Sequence, residues 1–122
     1  MSATHRRILL GLFERTLAAV HGRARTRAAA AHLPQDADWR VFAIGKAASA
    51  MTLGALDCLG PRIIEALVVS KDGHFDAELE GAAGVTCLAS AHPVPDERSL
   101  AAGAELLRRL ARLRPDERVL FL

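Results

Sequence analysis

Apolar positions along the chain fall into two rhythms. Between residues 4 and 31 they recur every three or four positions, at Leu9, Phe13, Leu17 and Val20, with Leu10 and Leu12 widening the stripe. That spacing predicts an amphipathic helix. Glu14, Arg15, His21 and Arg23 take its wet side, and Gly22 stands where it would divide in two. Residues 33–38 (LPQDAD) form a loop, with Pro34 closing the helix. From Trp39 the rhythm changes. Trp39–Ile44 (WRVFAI), Ile63–Ser70 (IIEALVVS), Val85–Ala89 (VTCLA) and Arg118–Leu122 (RVLFL) are short, nearly continuous apolar runs. Strands covered on both faces read this way. Ala47–Leu59 predicts a crossover helix, stopped by Gly60-Pro61. A helical turn at Ala77–Glu80 interrupts the polar connection 75–84. A long helix runs from Asp96 to about Leu113 on the repeat Leu100, Ala104, Leu107 and Ala111, with acids in its first turn and arginines in its last.

The order α, β, α, β, β, α, β predicts an α/β fold: a three-layer, mainly parallel, Rossmann-like sheet with helices on both faces. The connection from Ser70 to Val85 is short for a parallel crossover, so the pattern constrains that strand pair least. A length of 122 residues suits one domain, here residues 1–33 as a leading helix and 39–122 as a β/α core. The chain stops at Leu122 inside an apolar run. A buried strand with no continuing loop leaves backbone groups without partners, so the expectation is a domain truncated at its C-terminus, part of a longer protein.

Composition narrows the partners. Aromatic residues make up only 4%, so the core must be aliphatic. The net charge of +2 argues against nucleic acid. Arg23, Arg25 and Arg27 form the one local basic cluster, which reads first as a solvated helix face and second as a contact for RNA or an anionic partner, against which the lack of an interleaved aromatic stands. Cys58 and Cys87 show no CxxC or metal-ligand spacing and read as two buried thiols in a reducing cytosol. Arg6-Arg7 precedes an apolar run that Glu14 ends after six residues, too short for a signal peptide and far short of a membrane span. The expected location is cytoplasmic.

The candidate chemistry lies at three strand ends: Gly45-Lys46, Lys71-Asp72-Gly73-His74, and Ser90-Ala91-His92. In a parallel sheet all three fall on one edge, where ligands of open α/β sheets bind. Lys46 and Lys71 are the only lysines in the chain. Lys46 sits where a strand gives way to a helix N-terminus, a place that attracts anions. It reads equally as an anion ligand or an exposed helix-start lysine. The segment is neither a Walker A loop nor GxGxxG. Residues 71–74 read first as a solvent turn with Gly73 in the left-handed region. In His92-Pro93-Val94-Pro95-Asp96 two prolines stiffen the loop; either it is a connector with Asp96 only as a helix cap, or His92 or Asp96 touches ligand. Asp72/His74 and His92/Asp96 have no diagnostic metal spacing, and Ser49 and Ser90 have no triad partners in sequence order. Met51 reads as core.

Four segments together resemble the N-terminal domain of the glycerate 2-kinase family: VFAIGKAASAM (41–51), ALVVSKDGH (66–74), AHPVPDERSLAAGAELL (91–107) and DERVLFL (116–122). Gly45-Lys46-Ala47 with Met51, followed at this distance by HPVPD, is specific as a pair. The family joins this domain to a C-terminal MOFRL-type domain, absent from this chain, and some members carry the label hydroxypyruvate reductase. Its last strand leads into a serine- and glycine-rich loop, just beyond where this chain stops. The resemblance implies a sugar-acid kinase that moves phosphate from ATP to the 2-hydroxyl of D-glycerate, with Mg²⁺ bound alongside the nucleotide. Lys46 becomes the catalytic candidate, and Gly45, Ser49, Lys71, His92 and Asp96 the substrate- or phosphate-binding candidates. No metal ligand is assigned, and a homodimer is allowed. The chain by itself is expected to be inactive. Two other readings stay open: an NAD(P)H-dependent hydroxypyruvate reductase, against which the missing GxGxxG stands, and a non-catalytic α/β module that binds an anion or a partner chain.

Overall fold

The computed structural model describes residues 2–122. Its elements follow the two rhythms closely. Helix α1 (Ala3–Ala19) and helix α2 (Gly22–Ala30) come first, divided at the expected point before Gly22. Then come β1 (Trp39–Ile44), α3 (Ala48–Leu59), β2 (Ile63–Lys71), the single-turn α4 (Ala77–Glu80), β3 (Val85–Ser90), α5 (Glu97–Leu110) and β4 (Arg118–Phe121). A short 3₁₀ turn at Gly60–Arg62 joins α3 to β2.

All pairings in the four-stranded sheet are parallel, in the order β3-β2-β1-β4. The β2–β3 pair, which the short connection left open, is parallel as well. Because side chains alternate along a strand, each strand feeds two layers. On one face Ala43 and Val68 pack with Ala48 and Leu53 of α3 and Leu79 of α4. On the other, Phe42, Leu67 and Val69 pack with Ala102 of α5. Helix α2 lies behind α3, where Ala30 meets Trp39 and Leu59. This is the predicted three-layer α/β fold, with a core that is aliphatic except for Phe42 and Trp39. No helix among the described residues is long and apolar enough to cross a membrane.

Two expectations are corrected, and one apolar face is left without a cover. The stripe of α1 packs on no core: no residue of α1 is buried, and Leu9, Phe13 and Leu17 are all more than half exposed. A helical pattern shows which side is apolar and not what covers it. Arg23 was placed on the wet side with Arg25 and Arg27. Instead its guanidinium grips Asp57 of α3 with two bonds, of 2.7 and 2.8 Å, and reaches Glu78 of α4 at 3.0 Å. Cys58 and Cys87 are free thiols but only half-buried.

At the N-terminal end of the sheet a chain of ion pairs ties distant segments together. Arg40 of β1 donates to both oxygens of Glu117, at 2.8 and 3.0 Å, and pairs with Glu65 of β2. Arg109 of α5 donates to Glu65 at 2.7 Å, to Glu105 at 2.6 Å and to Thr86 at 3.1 Å. The Arg40 guanidinium, helped by the Arg114 amide, holds the Glu117 carboxyl at about 2. Arg108 and then Arg109 do the same for Glu105, also at about 2. Both carboxyls titrate near 4.5 when unfolded. Their stabilising effect is therefore complete above pH 4.5 and is lost as pH falls through 2. Urea midpoints measured against pH should drop through that window. In Arg40→Met the midpoint should be lower at neutral pH and the acid decline shallower. A midpoint that stays flat from pH 4.5 to 2 would remove these ion pairs from the stability account.

Candidate functional site

Parallel pairing brings the three chemistry-bearing strand ends to one edge. Ile44 is level with Val69, and Lys71 with Ser90, so the loops leave the sheet at nearly the same height. The chain turns to one side of β1 through α3 and back to the other through α5, which places the reversal of strand order beside Gly45-Lys46.

Two adjoining hollows lie along this edge. The first, of about 400 Å³, is lined by Ile44, Gly45, Lys46, Val69, Ser70, Lys71, Ser90, Ala91 and His92. The second, of about 370 Å³, shares Lys71 and Ser90 to His92 with it and adds Asp72, Pro93, Val94 and Arg98. Among the described residues no carboxylate lines the first hollow.

The turn under Lys46 is tightly fixed. Gly45 has φ +123°, a region that side-chain-bearing residues rarely adopt. Its N–H donates to Val69 O at 2.9 Å, and its carbonyl accepts from Ser70 Oγ at 2.9 Å and from the Ala48 amide at 3.2 Å. Lys46 itself is exposed and has no hydrogen-bond or ion-pair partner among the described residues, and neither has the Lys71 ammonium. Two cations without ion-pair partners, facing a hollow that no carboxylate of the described residues lines, make an anion-receptive rim; Asp72, in the adjoining hollow, is taken by Arg98. No side chain caps the N-terminus of α3, which opens beside Lys46.

The HPVPD loop is pinned at both ends by one residue. Ser99 Oγ accepts from the Ala91 and Asp96 amides, each at 3.3 Å, and meets Ser90 Oγ at 3.0 Å. Asp96 caps α5 and closes a reciprocal capping box with Ser99. Partial desolvation opposes ionisation of Asp96, but the Arg98 guanidinium and the Arg98 and Ser99 amides outweigh it and hold the carboxyl below the usual carboxylate range. Arg98 donates to Asp72 at 2.8 Å and to Asp96 at 3.0 Å, linking the β2 end to this loop. His92, followed by a cis peptide to Pro93, is exposed and borders both hollows.

The structure thus brings Gly45, Lys46, Lys71 and His92 together. Two other candidates lie elsewhere. Ser49 is buried in the first turn of α3 and donates to His74 O at 2.8 Å, so it supports the β2–α4 loop from below and does not line either hollow. Asp96 lines neither hollow and acts as a cap. The two possible metal pairs do not assemble into a site, since Asp72 and Asp96 converge on Arg98 and no group of three ligands forms among the described residues.

A family described as "Domain of unknown function (DUF4147)" matches residues 8–122. The chain belongs to the DUF4147 family. A curated relative, the D-glycerate 2-kinase of Thermotoga maritima, is 34% identical over 82 residues, which are 67% of this chain and 19% of that protein. The crystal structure of glycerate kinase from the same organism superposes with a TM-score of 0.84 at 24% identity, over 98% of this chain and 28% of the other. A crystal structure of a Pyrococcus horikoshii protein gives 0.75 at 23% identity, over 99% and 29%. The motif resemblance to the glycerate 2-kinases is borne out, and the shared fold with it. The DUF4147 chain spans less than a third of the length of these relatives.

Sequence reasoning missed Ser70, Arg98 and Ser99. Ser70 read only as the end of a strand, and the pairing of Arg98 with Asp72 joins positions 26 apart that only the topology brings together. The serine at N3 after Asp96 was the one legible signal, as a reciprocal cap.

Proposed function

We propose that this chain is the N-terminal part of a longer two-domain enzyme that transfers phosphate from ATP to the 2-hydroxyl of D-glycerate. The observation that carries the reading is the convergence of Lys46 and Lys71 on a hollow without carboxylates, at the strand ends of a fold shared with a glycerate kinase. Both reactants are anionic, one through its carboxylate and the other through its phosphates. Phosphoryl transfer asks the protein mainly for alignment and charge neutralisation. The nucleotide supplies the phosphoryl group when bound.

In this reading Lys46 neutralises charge on the phosphoryl group in transit, or holds the glycerate carboxylate beside it. Lys71 provides a second cation at the same level of the sheet. Gly45, with its special φ, sets the angle at which Lys46 leaves the strand. His92, on a loop pinned by Ser99 and Arg98, closes the side toward β3. The chain's own donors suit the phosphates and the carboxylate. They do not suit Mg²⁺: its preferred oxygen ligands here are Asp72 and Asp96, and both are held by Arg98. No step is therefore assigned to residues of this chain through a metal.

In an enzyme containing residues 1–122 and the C-terminal region, ATP consumption should depend on D-glycerate and yield 2-phosphoglycerate, while residues 1–122 alone should show no turnover. Oxidation of NAD(P)H with hydroxypyruvate, without use of ATP, would overturn the kinase reading. Turnover by residues 1–122 alone would overturn the division of the site between two domains.

A further inference from the structure

The apolar stripe of α1 belongs to neither the core nor the cleft. Leu9, Leu10, Leu12, Phe13 and Leu17 of the helix, and Val20 at its C-cap, are each 44–66% exposed. Single exposed apolar residues are ordinary, but a continuous stripe marks an interaction surface. At 3.6 residues per turn, Leu10, Phe13, Leu17 and Val20 fall within an arc of roughly 80°, and Leu9 and Leu12 widen it to roughly 160°. Their 3-4-3 spacing is that of a two-helix seam. Arg7 and Glu14, one heptad apart, share one flank of the seam, and neither has an ion-pair partner among the described residues.

We propose that this stripe is a self-association surface, and that its occupant is α1 of a second copy, packed antiparallel. Charge selects the direction. Antiparallel helices centred near Leu10 and Phe13 place Arg7 of each copy beside Glu14 of the other, giving two ion pairs related by a twofold axis. Parallel helices would instead set Arg6 against Arg6 on the seam. Area supports the pairing. The six residues expose on the order of 500–600 Å² per copy, so a pair that covered them completely would bury at most about 1,000–1,200 Å², the lower edge of specific interfaces. The inference is independent of the catalytic reading, since α1 contributes nothing to the cleft.

Sedimentation velocity of residues 1–122 over roughly 1–300 µM tests it. The expected result is a shift with concentration from 13.1 kDa toward twice that mass. Leu10→Glu with Phe13→Glu should abolish the shift with far-UV circular dichroism unchanged. Arg7→Glu alone and Glu14→Arg alone should each weaken association at least several-fold, and the two combined should restore it, with all three variants keeping the apolar seam. A monomer at every concentration would overturn the proposal and leave the stripe to another part of a longer enzyme. So would a dimer insensitive to Leu10→Glu with Phe13→Glu, or a charge swap that fails to restore association.

Discussion

In the proposed kinase, Lys46→Ala should lower kcat by about 10²–10³-fold, the usual effect of removing one donor aimed at developing charge. Stability should hardly change, because the Lys46 side chain is exposed and makes no ion pair or hydrogen bond among the described residues. That separation makes the result interpretable: a variant that melts with the wild type but turns over slowly has lost chemistry and not fold. The split between kcat and KM then assigns the role. A fall in kcat with little change in KM places the ammonium on the phosphoryl group in transit. A rise in KM at constant kcat makes it a ligand of the glycerate carboxylate in ground and transition state alike. Near-normal values of both would take Lys46 out of the mechanism.

How far this site could be read beforehand depends on what each residue's position rests on. Lys46, Lys71 and His92 stand at or within two residues of the C-terminal ends of strands whose apolar runs are unmistakable, and a parallel sheet brings those ends to one edge. They were legible for that reason. Ser49 was misplaced by adjacency: it follows Lys46 closely, but the helix phase turns it inward with Ala48 and Thr52, under the loop and not over the cleft. Asp96 kept the cap that its position before a helix predicts, which leaves its oxygens already bonded to Arg98 and Ser99. The pairing of Arg98 with Asp72, and of Arg23 with Asp57 and Glu78, depends on which loops the topology sets side by side, and a one-dimensional charge pattern does not hold that information. The α1 stripe marks the same boundary for apolar residues, since periodicity identifies a face without naming its cover.

The crossing of α2 over α3 yields the largest expected loss of stability from a single methyl group. Helix α3 carries Gly54 in its buried interior, where helix propensity alone favours alanine by about 1 kcal/mol. Packing forbids it. A Cβ at Gly54 would lie 2.3 Å from the carbonyl oxygen of Arg23 and 3.0 Å from the amide nitrogen of Arg27, both backbone atoms of α2 that no side-chain rotation can move. Relief requires shifting α2 outward, which would pull Thr26 and Ala30 out of the buried layer and loosen the Arg23 clamp on Asp57. Overpacking of this kind costs typically 1–3 kcal/mol and more when backbone must move. Gly54→Ala should therefore lose about 2–3 kcal/mol net, a fall in Tm on the order of 10 °C for a domain of this size. Gly103→Ala is the matched control. Gly103 lies in α5, is exposed, and has nothing within 4 Å of an added Cβ, so the same substitution should raise Tm slightly through propensity alone. Opposite signs at the two glycines would establish that α2 rests backbone to backbone on α3. A Gly54→Ala protein as stable as the wild type would mean that the two helices do not approach this closely, and that the Arg23 clamp is made across a looser seam.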